Sequence, residues 1–365
     1  MKIPKLRLKN YRNCEQVWLD FSSQKTLIIG KNAQGKTNIL ESIYLLSDLK
    51  SPRTSTMTDL IRFSTTGFEI NAHIEKNNTD IELDFSYNQE KKREFRINKV
   101  KSSSKDFKLT VKTVLFSTKD LLLLRGTPQD RRDWLDRAIS QIYPAYDERL
   151  SKYEKIRIQK NNLLKNDFID DALLDVYNEQ LVITGANIIF LRKKFLKEIE
   201  KLACEKHRVI SDNEQFSLNY TCPESEIESI CDYLKNELSI RHSEELARRQ
   251  SCVGPHRDDI EFKINGIDAV KFASQGQQRT LVLALKLGEL DIIRNKTGYA
   301  PILLLDDVLA ELDETRQNYL LKSIDNGVQT IITSVDTLLF EDEFLQDVQI
   351  YTVENGCVKI SQLMR

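Results

Sequence analysis

The segment that most limits the fold is residues 26–46, TLIIGKNAQGKTNILESIYLL. A short apolar strand leads directly into Gly30-x-x-x-x-Gly35-Lys36-Thr37, and a helical pattern follows in which Ile39, Leu40, Ile43, Tyr44 and Leu46 recur. A strand of continuous apolar residues is buried on both faces, so it belongs inside a sheet covered by helices. The glycines let backbone N–H groups close around a phosphate, and the helix N-terminus turns its dipole toward it. Gly30, Lys31, Asn32, Ala33, Gln34, Gly35, Lys36, Thr37 and Asn38 are therefore the expected phosphate-binding residues. Lys36 supplies charge to the β/γ oxygens and is counted with the catalytic groups, and the Thr37 hydroxyl suits Mg²⁺.

The rest of the chain divides by pattern. Residues 3–30 and 68–116 read as strands, including FEINAHI, IELDFSY, EFRIN and LTVKTVLF. Residues 129–247 are rich in Lys, Glu, Leu, Asn and Ile, are nearly free of Gly, and read as five or six helices. Strand signals return at DIEFKING, followed by a helix at 277–294, the buried strand PILLLDD, a helix at 314–325 and the strand QTIITS. The expected division is 1–125, 126–247 and 248–365, with a helical lobe between two α/β pieces. Neither α/β piece makes a full sheet alone, so the two ends are expected to meet. With 365 residues, 40% of them hydrophobic, the chain has material for a sizeable core. The formal charge of −1 means that a polyanionic partner must be met by a local basic patch. The six cysteines (14, 204, 222, 231, 252 and 357) are scattered without a C-x-x-C pair, which argues against a zinc site or disulfide frame. No signal peptide or membrane span is expected, and a reducing cytoplasm is the simplest setting.

Two further stretches carry chemistry. APILLLDDVLAELD places Asp306 and Asp307 at the end of an apolar strand. Adjacent carboxylates there are costly unless a cation or a reaction uses them. Asp306 is expected to hold Mg²⁺ through water, and Asp307 to orient or deprotonate an attacking water. SQGQQRTLVLALKLGEL, residues 274–290, opens an apolar helix with a polar cap. Such a helix start can receive an anion: Ser274 offers a hydroxyl, Gly276 allows close backbone approach, and Gln277 completes the cap. In isolation it is also an ordinary capped helix.

Phosphate loop, SQGQ cap and LLLDD with AELD, in that order, resemble the ABC-type ATPase head, in which the cap of one protomer closes on nucleotide held by another. More closely, NYRN (10–13), GKNAQGKTNILESIYLL (30–46), VLFSTKDLLLLRGTPQDRRDWLD (114–136), GPHRDDIEF (254–262), the SQGQQRT block and ILLLDDVLAELD (302–313) resemble the RecF family over nearly the whole chain. The resemblance implies an α/β head of mixed sheets and flanking helices with an inserted, mostly helical lobe. It implies ATP and Mg²⁺ as ligands, with Arg12, Ser274, Gly276 and Gln277 added to the nucleotide-binding set. It implies an ATP-dependent homodimer with slow, DNA-stimulated, regulatory hydrolysis. It implies DNA, single- and double-stranded, at gaps and junctions as the partner, with RecR and RecO acting beside it to help RecA load. Departures from the pattern are Thr118 and Lys119, where the family usually shows Pro and an acidic residue, and Thr333-Ser334, where transporters carry a histidine. No Gln lies in 117–120, which leaves Asp120 as the magnesium-ligand candidate there. His256 and Arg257 fit either a turn on Gly254-Pro255 or a nucleotide contact.

Residues 88–112 hold nine basic and three acidic side chains, a local excess of the kind phosphate contacts need. FRINKVKSSSKDFKL reads there as a basic hairpin, and Lys91, Lys92 and Arg93 are its candidate DNA contacts. Arg131, Arg132 and Arg137 form a second candidate. Either stretch also fits a solvated charged face. Residues 336–358 carry six acidic and no basic residues, so that end should face away from DNA. A transporter-type subunit would need the missing Gln segment, and an SMC-like tether would need long heptads. An end-processing enzyme would need a metal cluster in the middle block.

Overall fold

The alternating N-terminal residues form strands β1 (Lys2–Tyr11) and β2 (Cys14–Asp20) in the computed structural model, which describes residues 1–90, 92–211, 213–324 and 327–361. β3 (Lys25–Ile29) is the apolar run before the phosphate loop, and α1 (Lys36–Asp48) follows it. Strands β4 (Gly67–Lys76), β5 (Thr79–Asn88), β6 (Lys92–Ile97) and β7 (Val100–Lys101) join β1 and β2 in an antiparallel sheet of order β2-β1-β4-β5-β6-β7. The alternating pattern buries one face of that sheet. Tyr11, Phe68, Phe85, Phe95 and Phe107 run across it with successive ring centroids 4.9–5.6 Å apart. Each such buried aromatic contributes about 1.5–3 kcal/mol, with roughly 1 kcal/mol more from edge and offset geometry.

The expected basic hairpin is only half formed. After β7 the chain enters α2 (Ser104–Thr110) instead of a second long strand. Ser103 Oγ accepts the Asp106 N–H at 3.1 Å, which caps the helix, and Phe107 on its inner side is fully buried. A local cap and one buried anchor outweigh the alternation of DFKLTVK. β8 (Thr113–Ser117) comes next.

The helices of the middle block are α3 (Pro128–Ile142), α4 (Tyr146–Leu164), α5 (Asp171–Ile210), α6 (Ile227–Ile240) and α7 (His242–Arg248). Thr127 and Asp130 cap α3 reciprocally, with Pro128 in its first turn. A strand absent from the sequence reading, β9 (Phe216–Tyr220), interrupts them. It pairs antiparallel with β10 (Ile260–Ile264), which also pairs with β11 (Ile267–Asp268). α8 (Ala269–Phe272) and α9 (Gln275–Thr297) follow.

The chain then returns to the first unit with β12 (Ile302–Asp306), α10 (Glu314–Ser323), β13 (Thr330–Ser334), α11 (Asp342–Gln346), β14 (Val348–Glu354) and β15 (Cys357–Ile360). β14, β13 and β12 enter a sheet of order β15-β14-β3-β13-β12-β8, parallel except for the β14–β15 hairpin. The two compact units are 1–121 with 289–365, and 122–288. The ends thus share one sheet, as β3 lies between β13 and β14. The units divide at 121/122 and 288/289 rather than at 125/126 and 247/248, because β10 pairs with β9 inside the second unit.

Candidate functional site

Parallel strands β3, β12, β13 and β8 finish at one edge of their sheet. Register sets Ser334 beside Ile29, Thr333 beside Asp306 and Asp306 beside Ser117. The carboxyl ends of such strands are where open α/β sheets bind ligands. At this edge a cleft of about 380 Å³ is lined by residues 32–38, Asn13, Arg53 and Asp307.

The phosphate loop is tied down from three sides. Gly30 has φ +156°, and a Cβ there would stand 2.4 Å from the Val353 carbonyl oxygen, so only glycine lets β3 turn this close to β14. The Gln34 carbonyl accepts from Asn13 Nδ2 at 2.9 Å and from the Gly356 N–H at 2.9 Å, and its Oε1 accepts the Asn355 N–H at 2.7 Å. Asn13 Oδ1 accepts from Asn38 Nδ2 at 2.8 Å, and Asn38 Oδ1 accepts from Arg53 at 2.7 Å. Lys36 is nearly buried, its ammonium donating to the carbonyls of Gly30 at 2.7 Å and Lys31 at 3.2 Å. A preset amine beside a ring of backbone N–H groups fits a polyphosphate.

The aspartates sit behind the loop. Thr37 donates its hydroxyl to Asp306 Oδ1 at 2.9 Å, and Thr333 donates to the same oxygen at 3.0 Å. Burial pushes the Asp306 carboxyl up from its usual range; the two hydroxyls pull it back, and neighbouring Asp307 adds to the rise. A partly buried carboxylate beside a second carboxylate and a threonine hydroxyl fits a hard divalent cation. Among the described residues no group of three or more His, Cys, Asp or Glu could hold a metal by itself.

Arg12 does not line the cleft. Its guanidinium is forked onto the buried Glu41 carboxylate at 2.8 and 2.9 Å and donates to the Asp59 carbonyl at 3.0 Å. The arginine that lines the cleft is Arg53, 3.6 Å from the same Glu41. Asn13, Arg53 and the Asn355-Gly356 turn were not singled out in sequence; Pro52-Arg53 just beyond α1 and the second Asn of NYRN were the available signals. Asp120 turns back on its own strand, accepting the Ser117 N–H at 2.8 Å and the Ser117 hydroxyl at 2.9 Å.

In the second unit, Ser274 and Gln277 cap α9 reciprocally. Ser274 Oγ accepts the Gln277 N–H at 3.2 Å, and Gln277 Oε1 accepts the Ser274 N–H at 2.8 Å. Gln277 Nε2 donates to Glu214 at 2.6 Å, and the Gly276 carbonyl accepts the Thr280 hydroxyl at 3.0 Å. His256 belongs to a turn. Its Nδ1 lies 2.6 Å from the Tyr153 hydroxyl and its Nε2 lies 3.2 Å from the Ser251 carbonyl, which Arg257 also reaches at 3.1 Å. Burial pushes the imidazole down to about 3, so it stays neutral. A Cβ on Gly254, at φ +124°, would stand 2.2 Å from the Tyr153 hydroxyl oxygen.

The candidate DNA contacts fare unequally. Lys91 lies outside the described residues. Lys92 and Arg93 are exposed at the start of β6. Arg96 and Lys99 face Glu94 and Glu82, Lys108 faces Asp48, and Lys112 is buried. Arg131 and Arg132 need correcting as surface contacts. They are 5% and 9% exposed, Arg131 is forked onto Asp259 at 2.7 and 2.8 Å, and Arg132 donates to the Asp258 carbonyl at 2.6 Å. Their work is to pin α3 to the GPHRDD segment. Arg137, next on the same helix, is likewise engaged within the protein. Among the described residues no helix is long and apolar enough to cross a membrane.

Comparison with known proteins gives the family and the fold. Residues 2–359 match the family model described as RecF/RecN/SMC N terminal domain. The chain is 38% identical over 381 residues to the DNA replication and repair protein RecF of Natranaerobius thermophilus, covering 98% of this chain and 97% of that one. It is 40% identical over 371 residues to the RecF of Thermosynechococcus vestitus, with 98% and 97% covered. The solved structure of the recombination mediator protein RecF-ATPrS in the RecFOR pathway superposes with a TM-score of 0.91 at 32% identity, covering 99% of this chain and 98% of that one. An Smc head bound to the C-terminal winged-helix domain of ScpA shares the fold at TM-score 0.58 and 15% identity, covering 100% of this chain and 98% of that one.

Proposed function

The chain belongs to the RecF family, and from that premise we propose that it is an ATP-driven DNA-binding recombination mediator. It binds ATP on the phosphate loop, closes as a two-fold homodimer and engages DNA at gaps and single-strand–double-strand junctions. Hydrolysis then reopens it. By its likeness to a RecF of the RecFOR pathway, its partners are RecR, with RecO and RecA acting in the same process. The observation that carries the reading is the convergence of Lys36, Thr37, Asp306 and Asp307, from two ends of the chain, on one strand-end site.

Each residue then has a task. Lys36 and the backbone N–H groups of residues 32–38 hold the β- and γ-phosphates. Thr37 and Asp306 are the residues that hold Mg²⁺, which neutralises phosphate charge when bound. Asp307 accepts a proton from water as the water oxygen bonds to the γ-phosphorus. The bond from that phosphorus to the bridging β–γ oxygen breaks, leaving ADP and phosphate. Ser274, Gly276 and the α9 N-terminus cap the γ-phosphate held by the second copy. Ser274 and Gln277 already satisfy one another, so the cap holds its shape before nucleotide arrives.

The test is binding to gapped, single-stranded and duplex DNA, with and without ATP. ATP should tighten binding to gapped DNA by about 10-fold or more, equivalent to about 1.4 kcal/mol. Equal affinity with and without nucleotide for all three DNAs would refute an ATP-driven DNA clamp.

A further inference from the structure

We propose that Thr333 is the positioning residue that holds the two strand-end aspartates in working order, one hydroxyl fixing the Asp306 carboxylate and the Asp307 backbone together. The inference rests on the reading of Asp307 as the base. It starts from the backbone: Asp307 has φ +50°, the left-handed region, which aspartate tolerates better than most residues but which still benefits from a restraint. Its N–H donates to Thr333 Oγ1 at 2.9 Å, which fixes the turn. That N–H can only donate, so the Thr333 oxygen is the acceptor. Its single hydroxyl proton is then directed at Asp306 Oδ1 at 3.0 Å, in preference to the Leu305 carbonyl at 3.4 Å.

The residue is 1% exposed, so water does not compete for either bond. β13 places it opposite Asp306 in register, and Asp306 Oδ1 also takes the Thr37 hydroxyl. One oxygen of the strand-end carboxylate therefore links the helix that starts at the phosphate loop, β12 and β13. Asp307, held in its unusual turn, lines both the phosphate cleft and a neighbouring recess of about 440 Å³ that Thr333 also lines. Without the hydroxyl the Asp307 turn loses its restraint and the carboxylate drifts from the cleft. A displacement of about 1 Å is enough to cost roughly 100-fold in rate. Because the phosphate loop makes none of these bonds except through Thr37, nucleotide affinity should be spared.

The test compares Thr333→Val, Thr333→Ala and Thr333→Ser with Asp307→Asn in the full chain, reading single-turnover hydrolysis, ATP affinity and the ATP-dependent dimer fraction. Loss of the hydroxyl should cut hydrolysis by roughly 100-fold while ATP affinity and dimer formation stay within about 3-fold. Thr333→Ser should restore the rate to within about 3-fold of the parent, since only the hydroxyl is required. In an Asp307→Asn background the Ala substitution should cost almost nothing more, because both changes disable one group. If Val fails to fold, the smaller Ala and the Ser rescue still decide the matter. Parent-rate hydrolysis by Thr333→Ala, with Asp307→Asn inactive, would overturn the role of Thr333 and leave the base assignment standing. An additive loss in the double variant would overturn it equally. Parent-rate hydrolysis by Asp307→Asn would instead remove the premise.

Discussion

The phosphate loop and the Ser274 cap are both helix starts suited to an anion, and they differ in how their polar groups are engaged. In the loop, Lys36 and Gln34 are anchored by carbonyls and by the Asn355-Gly356 turn, leaving a cleft of about 380 Å³ lined by residues 32–38. In the cap, Ser274, Gln277 and Glu214 satisfy one another within their own unit. On the proposed reading the loop is the surface that takes the phosphates of ATP. The cap is a helix terminus complete in itself, and on the proposed reading it meets a ligand only when another copy presents one. Loop lesions should therefore act on the monomer, and cap lesions on the assembly.

The largest effects test that division. Lys36→Met should lower ATP affinity by roughly 10- to 100-fold, since the proposed charge-assisted contact to phosphate, worth roughly 1.5–3 kcal/mol, goes. Ser274→Arg should leave monomer ATP affinity within about 3-fold, yet abolish ATP-dependent dimers by placing a bulky side chain where the partner's phosphate must come. Mixing the two variants sharpens the contrast. A mixed dimer has one composite site with both lesions and one with neither, so hydrolysis should reappear. Sedimentation with ATP and a phosphate-release assay report both effects. Mixed dimers that form without activity would show that the cap does not act across protomers.

How much of this was legible follows the range of each interaction. Gly30 to Thr37 could be read because phosphate binding needs fixed spacing within eight residues. Asp306 and Asp307 were legible because two carboxylates ending an apolar strand are otherwise costly. The strand order that brings them together was not, since β3 meets β13 and β14 only through pairing across some 300 residues. Arg131 and Arg132 looked like a surface patch because their partners lie near residue 259, too far along the chain for any local pattern. Asp258 and Asp259 in the GPHRDD block were those missing partners. α2 was misread as a strand because its cap rests on one serine in a run of three.

A smaller effect concerns DNA. With Arg131 and Arg132 internal, the proposed DNA phosphate contacts fall to Lys92 and Arg93, exposed at the start of β6. Lys92→Glu with Arg93→Glu should flatten the slope of log K against log salt by roughly 0.9 per lost contact, about 1.8 in all on duplex DNA. ATP binding and dimer formation should not change. An unchanged slope would send the DNA surface elsewhere.

The smallest effect returns to the contrast between the units, through two carboxyls that burial raises. Asp306 has two hydroxyl donors, and on the proposed reading a divalent cation as well. Asp258, in the second unit, is pushed up to about 6 by burial, although Tyr220, Arg192 and Arg132 pull it down, and its Oδ2 is buried without a hydrogen-bond partner. The folded chain thus holds this proton more tightly than the unfolded chain, where a carboxyl titrates near about 3.9. Its stabilising contribution is fully present below that value and is lost as pH rises through about 6. At pH near 7.5 the ion is mostly charged and costs stability, so Asp258→Asn should raise the melting temperature by about 3 °C, on the order of 1 kcal/mol. At pH near 4 the parent carboxyl is itself neutral, and the two proteins should melt together. Melting curves across that range decide it. A constant gap between parent and variant would show that Asp258 stays charged, matched by Arg192 and Arg132. A gap that opens as pH rises would show a proton held in the lobe for packing alone, in contrast to the ligand role proposed for the raised carboxyl of the first unit.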